Sequence, residues 1–367
     1  MIQRIQEIDK LNNRSAGTVR TGWRKRNKQA WTAAYIVILL STVTVVCPAQ
    51  DRNANRNRKA AEQTPAVLWV APLDIHSRNL FYGPGGKDHV PHTTYTFVGE
   101  DPHGTNPKFD VRDENGVKWR VKLGPEARPE TVASRLLWAV GYFSNEDYFV
   151  PELRVENMPR LKRHNKVIGS DGTMQNVRLK RHLQGEEKIG NWQWRKNPFA
   201  GTREFNGLRV MMALINNWDL KDENNSVVEE KGSDVEFHFL VSDLGSSFSA
   251  TGHSYPDRKS KGNLPAYRRS KFIRRVNQQS VDFDDPARPH VFYVINPKMY
   301  IRRLHMRWIG RDIPRGDAKW IGELLSQLSR DQIRDAFRAA GYSPAEVEQF
   351  SDVVEKRIAQ LQNLSIH

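Results

Sequence analysis

Three stretches of the chain alternate apolar and polar residues: Thr94-Tyr95-Thr96-Phe97-Val98, Lys108-Phe109-Asp110-Val111-Arg112 and Val117-Lys118-Trp119-Arg120-Val121-Lys122-Leu123. A period of two sends successive side chains to opposite faces, so each stretch predicts a half-buried β-strand. Asp113-Glu114-Asn115-Gly116 predicts a hairpin between the last two, because Asn and Gly tolerate the positive φ of a tight turn. The three strands make a small antiparallel sheet. After Leu123 the period changes. Pro129 and Glu130 suit a first helical turn, Val132, Leu136, Leu137 and Val140 form an apolar stripe, and Gly141 closes the helix.

A second helix is expected from about 203 to 216, with Leu208, Met211, Met212 and Ile215 at helical spacing. Short strands follow at 226–230 and 235–241, split by the turn Lys231-Gly232-Ser233-Asp234. The C-terminal part is helical. Ser329 with Gln332 and Ser343 with Glu346 have capping-box spacing, and Gly341 separates the two helices. The expected class is α+β: a small antiparallel β lobe with one helix over 66–155, then a larger, mainly helical lobe over 156–367.

The N-terminal region reads differently. No charge occurs between Lys28 and Asp51, and an apolar stretch from Ala33 runs, diluted by Ser and Thr, to Val46 behind a basic flank. Residues 1–49 are expected to be a signal peptide ending at Ala49 or an uncleaved membrane anchor. Residues 50–65, rich in Asn and Arg, read as a polar linker. The C-terminal domain is then expected outside, as an exported (periplasmic or extracellular) or membrane-anchored protein.

Composition narrows the chemistry. The 367 residues include 38% hydrophobic and 10% aromatic side chains, enough for a core. A single cysteine, Cys47, excludes a disulfide scaffold and a cysteine zinc site. None of the 11 His forms a His-x-x-x-His pair, which argues against a zinc enzyme. The net charge of +15 is unevenly placed. Part lies in the leader, and between Asp257 and Arg275 eight basic residues face one acid. That segment suits an acidic acceptor, a phosphorylated ligand, an anionic membrane or simply a solvated face. Tyr255, Tyr267 and Phe272 interleave it, but no recognition motif accompanies them, which argues against nucleic acid.

Three polar clusters fall where the hydrophobic pattern stops: Lys122 on the third strand, the run from Asn216 to Asn225 after the second helix, and Asp243-Leu244-Gly245 after the strand at 235–241. Phosphoryl transfer to a hydroxyl needs a carboxylate for the acceptor, oxygen ligands for a divalent ion and a cation on the phosphates. Asp219 and Asn224 have the Asp-x-x-x-x-Asn spacing of a kinase catalytic loop, and Asp243-Leu244-Gly245 stands where Asp-Phe-Gly would. Plainer readings exist for each: Lys122 as a polar strand position, Glu130 as a first-turn acid, Asp219 and Asn224 as turn formers.

In this order and spacing the chain resembles the protein-kinase-like superfamily, and within it atypical branches such as the HipA-like kinases. Asn217, Asp219 and Asn224 match the Asn-x-Asp-x-x-x-x-Asn form of that branch, Glu130 precedes Gly141 by eleven, and Val150-Pro151 follows. The resemblance spans residues 94–328. It implies a two-lobed kinase-like fold using ATP and Mg²⁺ (or Mn²⁺), with Lys122 paired to Glu130 and holding phosphates. It further implies Asp219 as catalytic base, Asn224 and Asp243 as metal ligands, and a nucleotide-covering loop at 99–107 that includes Gly99 and Gly104. Glu126 competes with Glu130 for Lys122, and Asn225 is the alternative ligand if the register shifts by one.

The departures are specific. Trp218 stands where His-Arg-Asp has Arg, which removes the receiver for a phosphorylated activation loop. Residues 99–107 are not a Gly-x-Gly-x-x-Gly loop, and Glu100 and Asp101 are poorly placed to face phosphates. Tyr82-Gly83-Pro84-Gly85-Gly86 is an alternative cover. An inactive pseudokinase used as an envelope binding module, or a nucleotidyl (AMP) transferase on the same fold, fits the same residues.

Overall fold

The computed structural model describes residues 64–101, 107–162, 167–232, 235–249, 261–284 and 297–364. Apart from Thr64 they belong to the unit Pro65–His367. The leader and nearly all of the linker lie outside them.

The alternating stretches form β2 (Tyr95–Asp101), β3 (Lys108–Asp113) and β4 (Lys118–Leu123), after a two-residue β1 (Ala66–Val67). Asp113 builds the hairpin: its Oδ1 accepts the backbone N–H of Asn115 at 3.0 Å and of Val117 at 2.8 Å, while Oδ2 accepts the Trp119 indole N–H at 2.9 Å. Two further strands, β5 (Asp147–Glu156) and β6 (Thr173–Arg181), complete a closed barrel of order β2-β3-β4-β6-β5. The closing pair, β2 with β5, is parallel at Tyr95↔Val155 and Thr96↔Glu156. The expected open three-stranded sheet is thus part of a five-stranded barrel, and β6 carries it past the expected boundary at 155. Phe109, Val111, Trp119, Val121, Val177 and Leu179 fill its interior.

The first helix, α1 (Ala127–Ala139), begins one turn after Leu123 and stops where Gly141 turns with φ of +97°. A β-carbon there would lie 2.2 Å from the Val70 carbonyl oxygen, so glycine lets that strand-like segment approach. Leu68, Ile75 and Leu80 of the same segment join the helical core instead of the barrel, and β1 pairs with a strand of the other sheet.

That sheet, of order β1-β9-β8-β7, contains β7 (Glu186–Gly190), β8 (Asn225–Lys231) and β9 (Val235–Val241). Between β7 and β8 runs α2 (Arg203–Leu214), capped by Thr202, whose hydroxyl accepts the Phe205 N–H. Then come α3 (Leu264–Arg269), a small sheet of β10 (Ile273–Val276), β11 (Ser280–Phe283) and β12 (Ile313–Pro314), and α4 (Pro297–Met306). The chain ends in α5 (Arg315–Leu325), α6 (Arg330–Ala339) and α7 (Pro344–Gln362). Both expected capping boxes are formed, at the starts of α6 and α7. Among the described residues no helix is long and apolar enough to cross a membrane, and the uncharged stretch read as signal or anchor lies outside them.

Candidate active site

Lys122 lies near the end of β4, directly opposite Arg178 of β6 and Lys108 of β3. Cross-strand neighbours share a face, so three cations line up across the barrel, an arrangement that is destabilising unless anions intervene. The anions come from outside the sheet. Lys122 Nζ lies 2.6 Å from Glu126 Oε2, 2.9 Å from Glu130 Oε2 and 3.0 Å from Asp243 Oδ1. An ammonium has three N–H donors, and here three carboxylates face it. Glu126 stands at the N-cap position of α1, without a side-chain capping bond, and Glu130 sits in its first turn, so the helix start brings both to the lysine. Glu126 and Glu130 therefore share Lys122 rather than compete for it.

Arg178 extends the cluster, reaching Glu130 Oε1 at 3.3 Å and Asp147 Oδ1 at 2.9 Å. Lys261 binds the other oxygen of Glu126. The Lys122 side chain is 1% exposed and that of Asp243 32%, so Asp243 is the carboxylate that opens to solvent. Burial alone would depress the Lys122 amine, but Asp243, Glu130 and Glu126 outweigh it and hold it well above its ordinary value. Asp243 is held well below the carboxylate range, since Lys122 outweighs its burial. Burial dominates at Glu130 and raises it to about 7 against the pull of Arg178 and Lys122.

The loop after α2 meets this cluster from the other side. Asn216, with φ of +52°, turns the chain out of the helix, and Asn217 Oδ1 accepts the Asp219 N–H at 3.0 Å. The Asn224 side-chain amide donates to the Asp219 carbonyl at 2.6 Å, closing the loop. Its own carbonyl accepts the N–H groups of Ser242 at 2.8 Å and Asp243 at 3.1 Å. Glu130, Lys122, Asp243, Asn224 and Asp219 are thereby linked in sequence by hydrogen bonds, through side chains at one end and backbone at the other. The Asp219 carboxylate lies 2.8 Å from Lys221 Nζ. Asn225 is fully buried and its amide donates to the Trp192 carbonyl at 3.0 Å. Asp222 accepts the Trp194 N–H at 3.0 Å and fastens the loop to the chain after β7.

Of the expected covering loop only the two ends, 99–101 and 107, are described, and they run into β2 and β3. Gly99 belongs to strand β2, at an irregularity between Phe97 and Gly99, and Gly104 lies outside the described residues. The acids are used locally: Glu100 accepts the Lys162 N–H at 2.9 Å and Asp101 lies 2.8 Å from Arg120. The alternative cover is packed down. A β-carbon on Gly85 would lie 2.5 Å from the Tyr148 hydroxyl, and the Phe81 carbonyl accepts from Arg135 of α1. Of the basic segment, Arg258 and Lys259 lie outside the described residues, while 261–275 are described.

Arg178 and Lys108 were not singled out from the sequence. The available signal was a charged residue between Val177 and Leu179, two barrel-interior residues, in a strand facing β4.

For a divalent ion the chemistry of the donors fits: Asp243 offers a carboxylate, and Asn224, whose NH₂ donates to the Asp219 carbonyl, offers an amide oxygen, both hard-oxygen ligands. Neither a protein-family model nor a curated protein matches the chain. Among solved structures it is similar to a Helicobacter pylori proinflammatory kinase, CtkA (12% identity, 75% of this chain and 97% of that one, TM-score 0.41). It is similar also to the Golgi casein kinase with Mn/ADP bound (10%, 74% and 73%, TM-score 0.38). A third is the Rio2 kinase of Chaetomium thermophilum in its ADP/Mg²⁺-phosphoaspartate complex (10%, 72% and 72%, TM-score 0.30). At such scores no residue role is carried over, and the HipA-like branch stays a resemblance of the loop from Asn217 to Asn224.

Proposed function

We propose that the chain is a kinase-type phosphotransferase that moves the γ-phosphoryl of ATP to a hydroxyl acceptor. The supporting observation is the hydrogen-bonded succession from Glu130 through Lys122, Asp243 and Asn224 to Asp219. A buried lysine held by a helix carboxylate is a preorganised cation for phosphate oxygens. Asn224 and Asp243 would hold Mg²⁺ (or Mn²⁺), which when bound neutralises charge building on the phosphate oxygens. The Asp219 carboxylate orients the acceptor and takes its hydroxyl proton, with Lys221 Nζ beside it at 2.8 Å. Trp218 is buried beneath the loop, so no cation stands there to receive a phosphorylated segment.

The test is transfer of labelled phosphate by the full chain with Mg·ATP. Asp219→Ala and Asp243→Ala should each lose at least about a hundredfold in rate while retaining the wild-type melting curve. Activity surviving in both sinks the reading. The enclosure of Lys122 by three carboxylates favours a second reading, a non-catalytic binding module. Stabilisation by Mg·ATP that depends on Asp243, together with turnover, decides against it.

The N-terminal pattern supports export or anchoring with residues 50–367 outside. A C-terminal reporter active only outside the membrane would be silent if that is wrong.

A further inference from the structure

On α6, Arg330 lies 2.6 Å from Asp352 and 3.2 Å from Glu348, and Arg334 lies 2.6 Å from Glu348. The cations of α3 and β10 have no such partners. Arg268, Arg269, Lys271, Arg274 and Arg275 are all exposed, and none forms an ion pair with a described carboxylate. Arg268 alone has a side-chain partner among the described residues, the neutral Gln349 at 3.3 Å.

The cations cannot relax apart, because the backbone beneath them is anchored. Tyr267 and Phe272, which alternate with them, are buried, and the Tyr267 hydroxyl donates to the Leu214 carbonyl at 2.7 Å. Arg357 of α7 donates to Ser270 Oγ at 2.7 Å from below. Arg275 stands opposite Asp282 of β11, which itself lies 3.8 Å from Arg311, so the cations remain in excess, and an excess of like charge raises the local concentration of an anionic partner and repels a cationic one.

The shape of the face selects among anions. In the sheet β10-β11-β12, β10 is an edge, paired among the described residues only on its β11 side. An open edge offers backbone N–H and C=O groups to an extended polypeptide, with side-chain specificity set by the residues that flank it. A phosphate surface would use only the donors. A lipid surface would also call for inserted apolar groups, and the large exposed apolar side chain on these two elements is Val276.

We propose that the α3–β10 face docks an acidic polypeptide segment in extended form. Ser270, between the two elements, accepts from the Asn216 amide at 3.3 Å, so the face is joined to the loop that carries Asp219. That the docked polypeptide is also the hydroxyl-bearing acceptor rests on the phosphotransferase reading; the docking does not.

The experiment is fluorescence anisotropy of the full chain with a labelled peptide of six glutamates around one serine, without nucleotide. The peptide should bind at least tenfold more tightly than its glutamine counterpart and weaken with salt. Arg274→Ser with Arg275→Ser should weaken it about tenfold, as expected for two exposed charge pairs, at an unchanged melting temperature. Methylation of alternate peptide nitrogens should weaken it several-fold. Equal binding of the glutamine peptide, or indifference to the double substitution, overturns the proposal. So does tighter binding of an anionic phospholipid vesicle or a single-stranded oligonucleotide that is lost in the same variant. Because binding is read without turnover, an inactive protein that still binds the acidic peptide keeps the docking surface and removes only the acceptor role.

Discussion

Replacing Arg178 by Met tests the electrostatic construction of the site most directly. The guanidinium stands between Glu130 and Asp147, whose side chains are 1% and 0% exposed. Methionine roughly preserves the volume of the stem, so the change is chiefly one of charge. Removing one partner of a buried ion pair leaves its counter-charge stranded, at a cost of about 3–5 kcal/mol. Two carboxylates lose a partner here, which places the expected loss at the upper part of that range and the fall in melting midpoint on the order of 10 °C. Denaturant titration followed by tryptophan fluorescence at pH 8 reads it, since Glu130, raised to about 7, is then charged. Adding Asp147→Asn should recover part of the loss, because one stranded charge disappears with it. A loss below about 1 kcal/mol, the value of a solvated pair, with no recovery in the double variant, would refute the bracket.

Three further outcomes are expected. Mg·ADP affinity, measured by calorimetry, should fall by up to about tenfold between pH 8 and pH 6, because burial raises Glu130 to about 7 and the carboxylate that pairs with Lys122 exists only above that. The groups facing Glu130 are Lys122 from β4, Arg178 from β6, Asp147 from β5, and Glu126 and Asp243 around the same lysine. In Glu130→Gln the profile should be flat, and an unchanged slope there assigns the titration elsewhere. Glu126→Gln should bind nucleotide several-fold more tightly, since one of the three anions on the Lys122 ammonium is gone; weaker binding would make Glu126 part of the nucleotide site. Gly141→Ala should cost at least about 1–2 kcal/mol for the left-handed backbone alone, plus the collision with the Val70 carbonyl, and a neutral melting temperature would contradict both.

How far the sequence could be read follows from the range of the interactions involved. The hairpin at Asp113, the strands β3 and β4, and the capping boxes of α6 and α7 are set by neighbours a few residues apart, and they lie where their patterns put them. The barrel does not share that property. Its closure rests on β2 pairing with β5 across some sixty positions, from Tyr95 to Val155, and no local period carries such a register. Strand β6 hides for a further reason: Val177, Arg178, Leu179 and Lys180 alternate, but Asn176, with φ of +55°, breaks the period before them, so the alternating run is only four or five residues long.

The site shows the same division. Lys122, Glu130, Asp219, Asn224 and Asp243 were named from order and spacing, and hydrogen bonds link them in that structure. What spacing could not express is stoichiometry. Glu126 and Glu130 looked like rivals for one lysine because each lies on the following helix turn, yet an ammonium with three donors accommodates both and Asp243 as well. A lysine saturated in this way must release an anion before it can take a phosphate oxygen. Glu126 is the carboxylate placed to leave, because Lys261, from the basic segment beyond Asp243, already holds its other oxygen. Glu130 is held in place from behind by Arg178, and Asp243 by the backbone of Asn224. On the proposed phosphotransferase reading, phosphate binding at Lys122 would thus be coupled to the position of Lys261 through the one carboxylate that both hold.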